Sequence, residues 1–73
     1  MMREVTITKE PVELYKILKF EGMVSSGGQA KAVIADGLVL VNGETETRKR
    51  KKIVSGDIIE FGQEKIRIQL SEL

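Results

Sequence analysis

The dipeptide Asn42-Gly43 constrains this chain more than any other local feature. It sits between the apolar run Leu38-Val39-Leu40-Val41 and a segment opening on Glu44-Thr45. Asn-Gly in that setting is the strongest short hairpin signal, because both residues tolerate the positive φ of a primed two-residue turn. The turn also divides the pattern. Between Pro11 and Gly37 apolar residues recur at helical spacing, and beyond the turn they alternate at strand spacing. With 73 residues and no cysteine, the chain has room for one small core and no disulfide to support it. The helical and strand parts must bury their apolar faces against one another.

Val5-Thr6-Ile7-Thr8 alternates and is rich in β-branched residues, which predicts a short edge strand. Pro11 then suits the first position of a helix, where a missing N–H costs nothing. Glu10 and Glu13 would lie in or near its first turn and favour the positive end of the dipole. Leu14, Ile17 and Leu18 form its buried stripe, and Gly22 is a left-handed cap. A second helix opens at Ser26-Gly27-Gly28-Gln29, where Ser26 and Gln29 fit a capping box. Ala30, Val33 and Ile34 are its stripe, and Gly37 closes it. Strands follow at Leu38 to Val41, from Glu44 onward, at Asp57 to Phe61 after a Ser55-Gly56-Asp57 turn, and at Lys65 to Leu70 after Gly62-Gln63. The order β-α-α-β-β-β-β predicts an α+β fold, a two-helix hairpin packed on a small, mostly antiparallel sheet. Of the three aromatics, Phe20 and Phe61 are expected in the core.

Arg48-Lys49-Arg50-Lys51-Lys52 follows the hairpin turn directly. The chain carries a formal net charge of only +1, so the acids outnumber the bases eleven to seven outside this run. Such concentrated charge inside a fold attracts phosphate and releases counterions, which makes structured RNA the expected partner. If the run continues the strand from Glu44, Arg48, Arg50 and Lys52 share one side and Lys49 and Lys51 the other. Only part of it then reaches one duplex. Arginine forks hold phosphate bidentately, so Arg48 and Arg50 rank above the lysines. The start of the second helix adds Ser26, Gly27 and Gln29 as a helix N-terminus whose free N–H groups and glycine let a phosphate approach, and Lys31 from its exposed face. With so few aromatics there is no stacking platform for single strands, and recognition of folded RNA by shape and phosphate suits the composition.

Three segments, taken in order, resemble the RNA-binding domain named after small-subunit ribosomal protein S-four, also called the αL motif. They are Ser26-Gly27-Gly28-Gln29-Ala30-Lys31, Gly37-Leu38-Val39-Leu40-Val41-Asn42-Gly43 and Val54-Ser55-Gly56-Asp57-Ile58-Ile59. They place the motif at about residues 11–61 of a single RNA-binding domain spanning 1–73. The chain looks most like the small stand-alone bacterial members, which carry a segment like Glu46 to Arg50 after the turn. The resemblance implies that the second helix and the post-turn segment grip structured RNA, ribosomal RNA among the candidates. Many members have arginine after the helix-two serine. Here Gly27-Gly28 stand instead, leaving Lys31 and the backbone N–H groups as contacts.

The chain has no histidine, no cysteine, no Walker-type loop and no dense carboxylate cluster. It is therefore expected to be no enzyme and to need no metal or small-molecule cofactor. It lacks an apolar run long enough for a bilayer, and Met1-Met2-Arg3-Glu4 is not a secretory signal, so a cytoplasmic protein without a membrane partner is expected. A small β-grasp-like interaction module is the alternative. A sulfur carrier of that kind would need a terminal Gly-Gly, whereas this chain ends Ser71-Glu72-Leu73. A helix-turn-helix DNA reader ranks lower, since its second helix would offer only Gln29 and Lys31 to bases.

Overall fold

The computed structural model describes residues Met2 to Ser71. In chain order the elements are β1 (Met2–Ile7), β2 (Val12–Glu13), α1 (Leu14–Phe20), α2 (Gly27–Ala35), β3 (Val39–Val41), β4 (Glu44–Thr45), β5 (Lys52–Ile53), β6 (Ile58–Phe61) and β7 (Glu64–Leu70). Five strands form one sheet in the order β1-β7-β6-β3-β4, and β2 pairs with β5 in a separate ribbon. Only β1 and β7 run parallel, with Val5 opposite Ile68; the other pairings are antiparallel. Leu14, Ile17 and Leu18 of α1 and Ala30 and Ile34 of α2 pack with Val5, Val39, Val41, Ile59, Ile66 and Ile68 of the sheet in one buried cluster. The opposite face is mostly polar: Arg67 pairs with Glu4 at 2.7 Å, Lys65 with Glu60 at 3.3 Å, and Gln69 donates to Thr6. This is the expected α+β architecture.

Local sequence explains where the elements stop. Both helices end in a Schellman motif, in which a left-handed glycine lets two N–H groups turn back onto the last turn. Gly22 (φ 71°) donates to the Lys19 carbonyl and Met23 to that of Leu18. Gly37 (φ 78°) donates to Ile34 and Leu38 to Val33, which swings the chain directly into β3. In the hairpin turn Asn42 and Gly43 both have positive φ, 54° and 84°. The Asn42 side chain also accepts from the Ile58 N–H at 2.9 Å and donates to Asp57 at 3.0 Å, while Asp57 accepts from the Val54 N–H. One residue thus ties the β3–β4 turn to the turn before β6.

The first helix differs from expectation. It begins at Leu14, three residues after Pro11, because Val12 and Glu13 are extended and pair with Ile53 and Lys52. Glu10 lies outside the helix and accepts from the Ser55 N–H at 2.7 Å. Glu13 is the N-cap residue, but its side chain caps nothing. The strand expected from Glu44 is only two residues long, so most of the basic run is not a strand. The β1 strand begins earlier than Val5, at Met2, and Leu70 is half-buried where its inward neighbours Ile66 and Ile68 are buried. Phe61 packs against the core, but Phe20 does not; it is 70 % exposed.

Candidate nucleic-acid interface

The Glu46 N–H donates to the Val39 carbonyl, and from there the chain leaves the sheet. Arg48 to Lys51 form a tight turn, in which the Lys51 N–H donates to the Arg48 carbonyl at 3.2 Å. The first N–H groups of a helix have no partner within it and must find one elsewhere. Those of Leu14 and Tyr15 donate to the carbonyls of Lys51 (2.9 Å) and Lys49 (3.2 Å). The basic segment therefore supplies main-chain caps that the Glu13 side chain does not. Lys52 and Ile53 then pair with β2. This path replaces strand alternation as the rule for where the basic side chains point.

Carboxylates hold both arginines. Glu46 takes the Arg48 fork bidentately, Nε to Oε2 at 2.9 Å and Nη2 to Oε1 at 3.0 Å, and also accepts from the Arg48 N–H. The Arg48 hydrogen bond is the leading reason the Glu46 carboxyl lies below the ordinary value. Glu13 faces Arg50 and Lys16 at 3.3 Å each and Lys52 at 4.0 Å. Partial burial works to raise the Glu13 carboxyl, but the bonds from Lys16 and Arg50 together outweigh it and the net direction is down. The same pairs push both guanidinium groups up, through the Glu46 bond for Arg48 and the Glu13 bond for Arg50. Lys31, Lys49 and Lys51 have no ion pair among the described residues.

Tyr15 gathers the rest. The Lys31 ammonium lies 4.7 Å from its ring centre, the Arg50 guanidinium 5.4 Å and the Lys16 ammonium 5.9 Å. All three distances are within the reach of cation–π attraction. Lys31 is half-buried there, not fully exposed as its position off the stripe implied. Gly27 is close by: a Cβ at that position would lie 4.0 Å from Tyr15 Cδ2 and from Lys19 Cδ. The α2 cap forms as expected on one side, with the Gln29 N–H donating to Ser26 Oγ at 3.0 Å. On the other side Gln29 reaches one residue further back and accepts from the N–H and hydroxyl of Ser25. The N–H groups of Gly27 and Gly28 have no protein acceptor among the described residues.

The structure thus brings Arg50, Lys31 and Gly27 together at Tyr15, with Lys52 next to them through Glu13. Arg48 and Lys51 stand apart, lining a shallow concavity with Glu46 and Asn42 beside the hairpin turn. Lys49 is exposed at the corner of the loop. Sequence reasoning missed Tyr15 and Glu13 as organisers. Tyr15 lies off the Leu14-Ile17-Leu18 stripe, which was a usable sign that its ring is only half-buried; the carboxylate of Glu13 was assigned to the helix dipole instead. Among the described residues no group of His, Cys, Asp or Glu could hold a metal ion, and no helix is long and apolar enough to cross a membrane.

A family model described as the S4 domain matches residues 5–69. The chain belongs to the S4 domain family. One S4 relative is "Putative RNA-binding protein YbcJ" of Escherichia coli, 46% identical over 68 residues, covering 92% of this chain and 97% of the relative. Another is "Probable ribosome maturation protein RlbA" of Bacillus subtilis, 35% identical over 61 residues, covering 84% and 86%. The solution structure of Escherichia coli YbcJ, reported to reveal an αL motif involved in RNA binding, superposes with a TM-score of 0.72 at 44% identity, covering 94% of this chain and 89% of that one. The resemblance drawn from the three sequence segments is therefore correct, and the helix pair with its following hairpin is the S4 fold.

Proposed function

We propose that this chain is a single, non-enzymatic RNA-binding domain of the cytoplasm that grips folded RNA, ribosomal RNA foremost, without a cofactor. The observation that carries the proposal is the convergence on Tyr15 of Lys31 from α2 and Arg50 from the basic segment, beside the start of α2. Two segments far apart in sequence make one cationic surface there. Its anchors are fixed by packing and ion pairs before RNA arrives, which lowers the ordering cost of binding. Lys49, Lys51, Lys52 and Arg48 extend the surface around the loop. Ser26 and Gln29 hold the start of α2, and Gly27 leaves room for a phosphate to approach its N–H. The S4 family match and the names of the two relatives support this reading. No observation favours the β-grasp-like alternative.

Salt dependence tests the mechanism. Each phosphate contact on a duplex contributes about −0.9 to the slope of log affinity against log salt. Replacing Lys31 and Arg50 by alanine should flatten the slope for a labelled RNA hairpin by about 2 units, and the wild type should prefer the hairpin to an unstructured strand of equal length. An unchanged slope in a folded double variant would rule out these two residues as phosphate contacts.

A further inference from the structure

Phe20 is the most exposed large apolar side chain among the described residues, at 70 %. The interface around Tyr15 does not use it. It ends α1, whose buried side is Leu14, Ile17 and Leu18, so the outward side reads Tyr15, Lys16, Lys19 and Phe20. The ring borders an open concavity of about 770 Å³ between β1 and α1, lined among others by Val5, Ile7, Pro11, Tyr15, Lys19 and Phe20. That size falls within the roughly 300–1,000 Å³ of small-ligand sites. Its charge is not balanced. The two carboxylates that line it are both engaged, Glu13 with Arg50 and Lys16, and Glu21 with Arg3 at 2.7 Å. Lys9 and Lys19 also line it and have no acidic partner among the described residues. Gly27, at the start of α2, lies next to both Lys19 and Tyr15, so the concavity continues directly from the proposed RNA surface.

We propose that this concavity holds an unpaired nucleotide next to the gripped duplex, its base stacked on Phe20 and its phosphate on Lys19 and Lys9. The proposal rests on the RNA-binding reading above. Within a stem the faces of paired bases are covered by their neighbours, so a ring on the flank of the gripped duplex stacks on a base that has left the stack. The surplus positive charge selects a polyanion over an apolar peptide, and continuity with the Tyr15 cluster makes the nucleotide part of the same RNA.

The test compares one RNA hairpin with a blunt stem against the same hairpin carrying a short single-stranded extension at either end. The wild type should bind one of the extended forms more tightly. Phe20→Ala should lose that advantage, by roughly 5- to 150-fold for one stacked base, while its affinity for the blunt hairpin stays the same. Phe20→Trp should keep the advantage, and because the chain has no other tryptophan its emission should be quenched by the extended hairpin and not by the blunt one. Equal binding of the extended hairpin by wild type and Phe20→Ala overturns the proposal and leaves the Tyr15 surface intact. Failure of the wild type to bind either RNA overturns the RNA reading itself, and the proposal with it. A concentration-dependent dimer abolished by Phe20→Ala, with RNA affinities unmoved, would assign the ring to a second copy of the chain and overturn the nucleotide site.

Discussion

Glu13 and Glu46 are the residues on which the arginines of the basic segment depend for their positions. Both carboxyls lie below the ordinary glutamate value of 4.5. A carboxyl depressed in the folded state contributes stability that is fully present above its unfolded value and is lost as pH falls through its folded one. Both contributions should therefore be intact at neutral pH and disappear only in acid below about 4.5. Side-chain carboxyl resonances followed by NMR should show Glu13 and Glu46 titrating below the ordinary glutamate value, and Arg48→Ala should return Glu46 toward it. A normal Glu46 midpoint in the wild type would show that the bidentate pair does not form in solution. This part of the site was hard to read from sequence. The run of five cations is evident there, but three of its members, Arg48, Arg50 and Lys52, are held by acids, and one of those acids, Glu13, lies 37 residues away from Arg50.

Turns and helix ends were legible because single residues decide them. Gly22, Gly37, Asn42, Gly43 and Gly56 all take the positive φ that their positions require. A variant with Asn42→Ala and Gly43→Val puts strained residues at two such positions, at about 1–3 kcal/mol each, and removes the bonds from Asn42 to Ile58 and Asp57. Thermal melting followed by circular dichroism should show a fall of about 4–8 °C per kcal/mol lost. Melting at the wild-type temperature would rule out the type of turn assigned here. The start of α1 was misread for a related reason. Pro11 is compatible with a first helical position, but it says nothing of β5, and pairing with Ile53 and Lys52 keeps Val12 and Glu13 extended. Phe20 was misplaced because hydrophobicity was read without helical phase: position 20 falls outside the stripe of Leu14, Ile17 and Leu18, and its ring is exposed.

At the scale of the molecule, the sheet is closed by its most distant segments. β1 and β7 run parallel, and the Arg67–Glu4 and Gln69–Thr6 bonds each span 63 residues. Periodicity showed both strands but could not show that they are neighbours, since no local signal encodes a parallel pairing across the whole chain. Contacts of such separation are entropically costly to form early. Val5→Ala, at a buried β1 position, should therefore speed unfolding and leave the folding rate nearly unchanged, with a φ-value below about 0.3 in a chevron analysis. A value near one would place β1 in the folding nucleus.

The main-chain caps on α1 have one more consequence. Leu14 and Tyr15 are held by the carbonyls of Lys51 and Lys49, and a carbonyl is the same whatever side chain its residue carries. The number of residues between Glu46 and Ile53 is thus locked by the scaffold, whereas the identities of those residues are nearly free. Substitution can retune the grip on a polyanion at little cost to folding, but inserting or deleting a single residue there would uncap a helix. Affinity and architecture can vary independently in this loop: side chains set the first, and segment length sets the second.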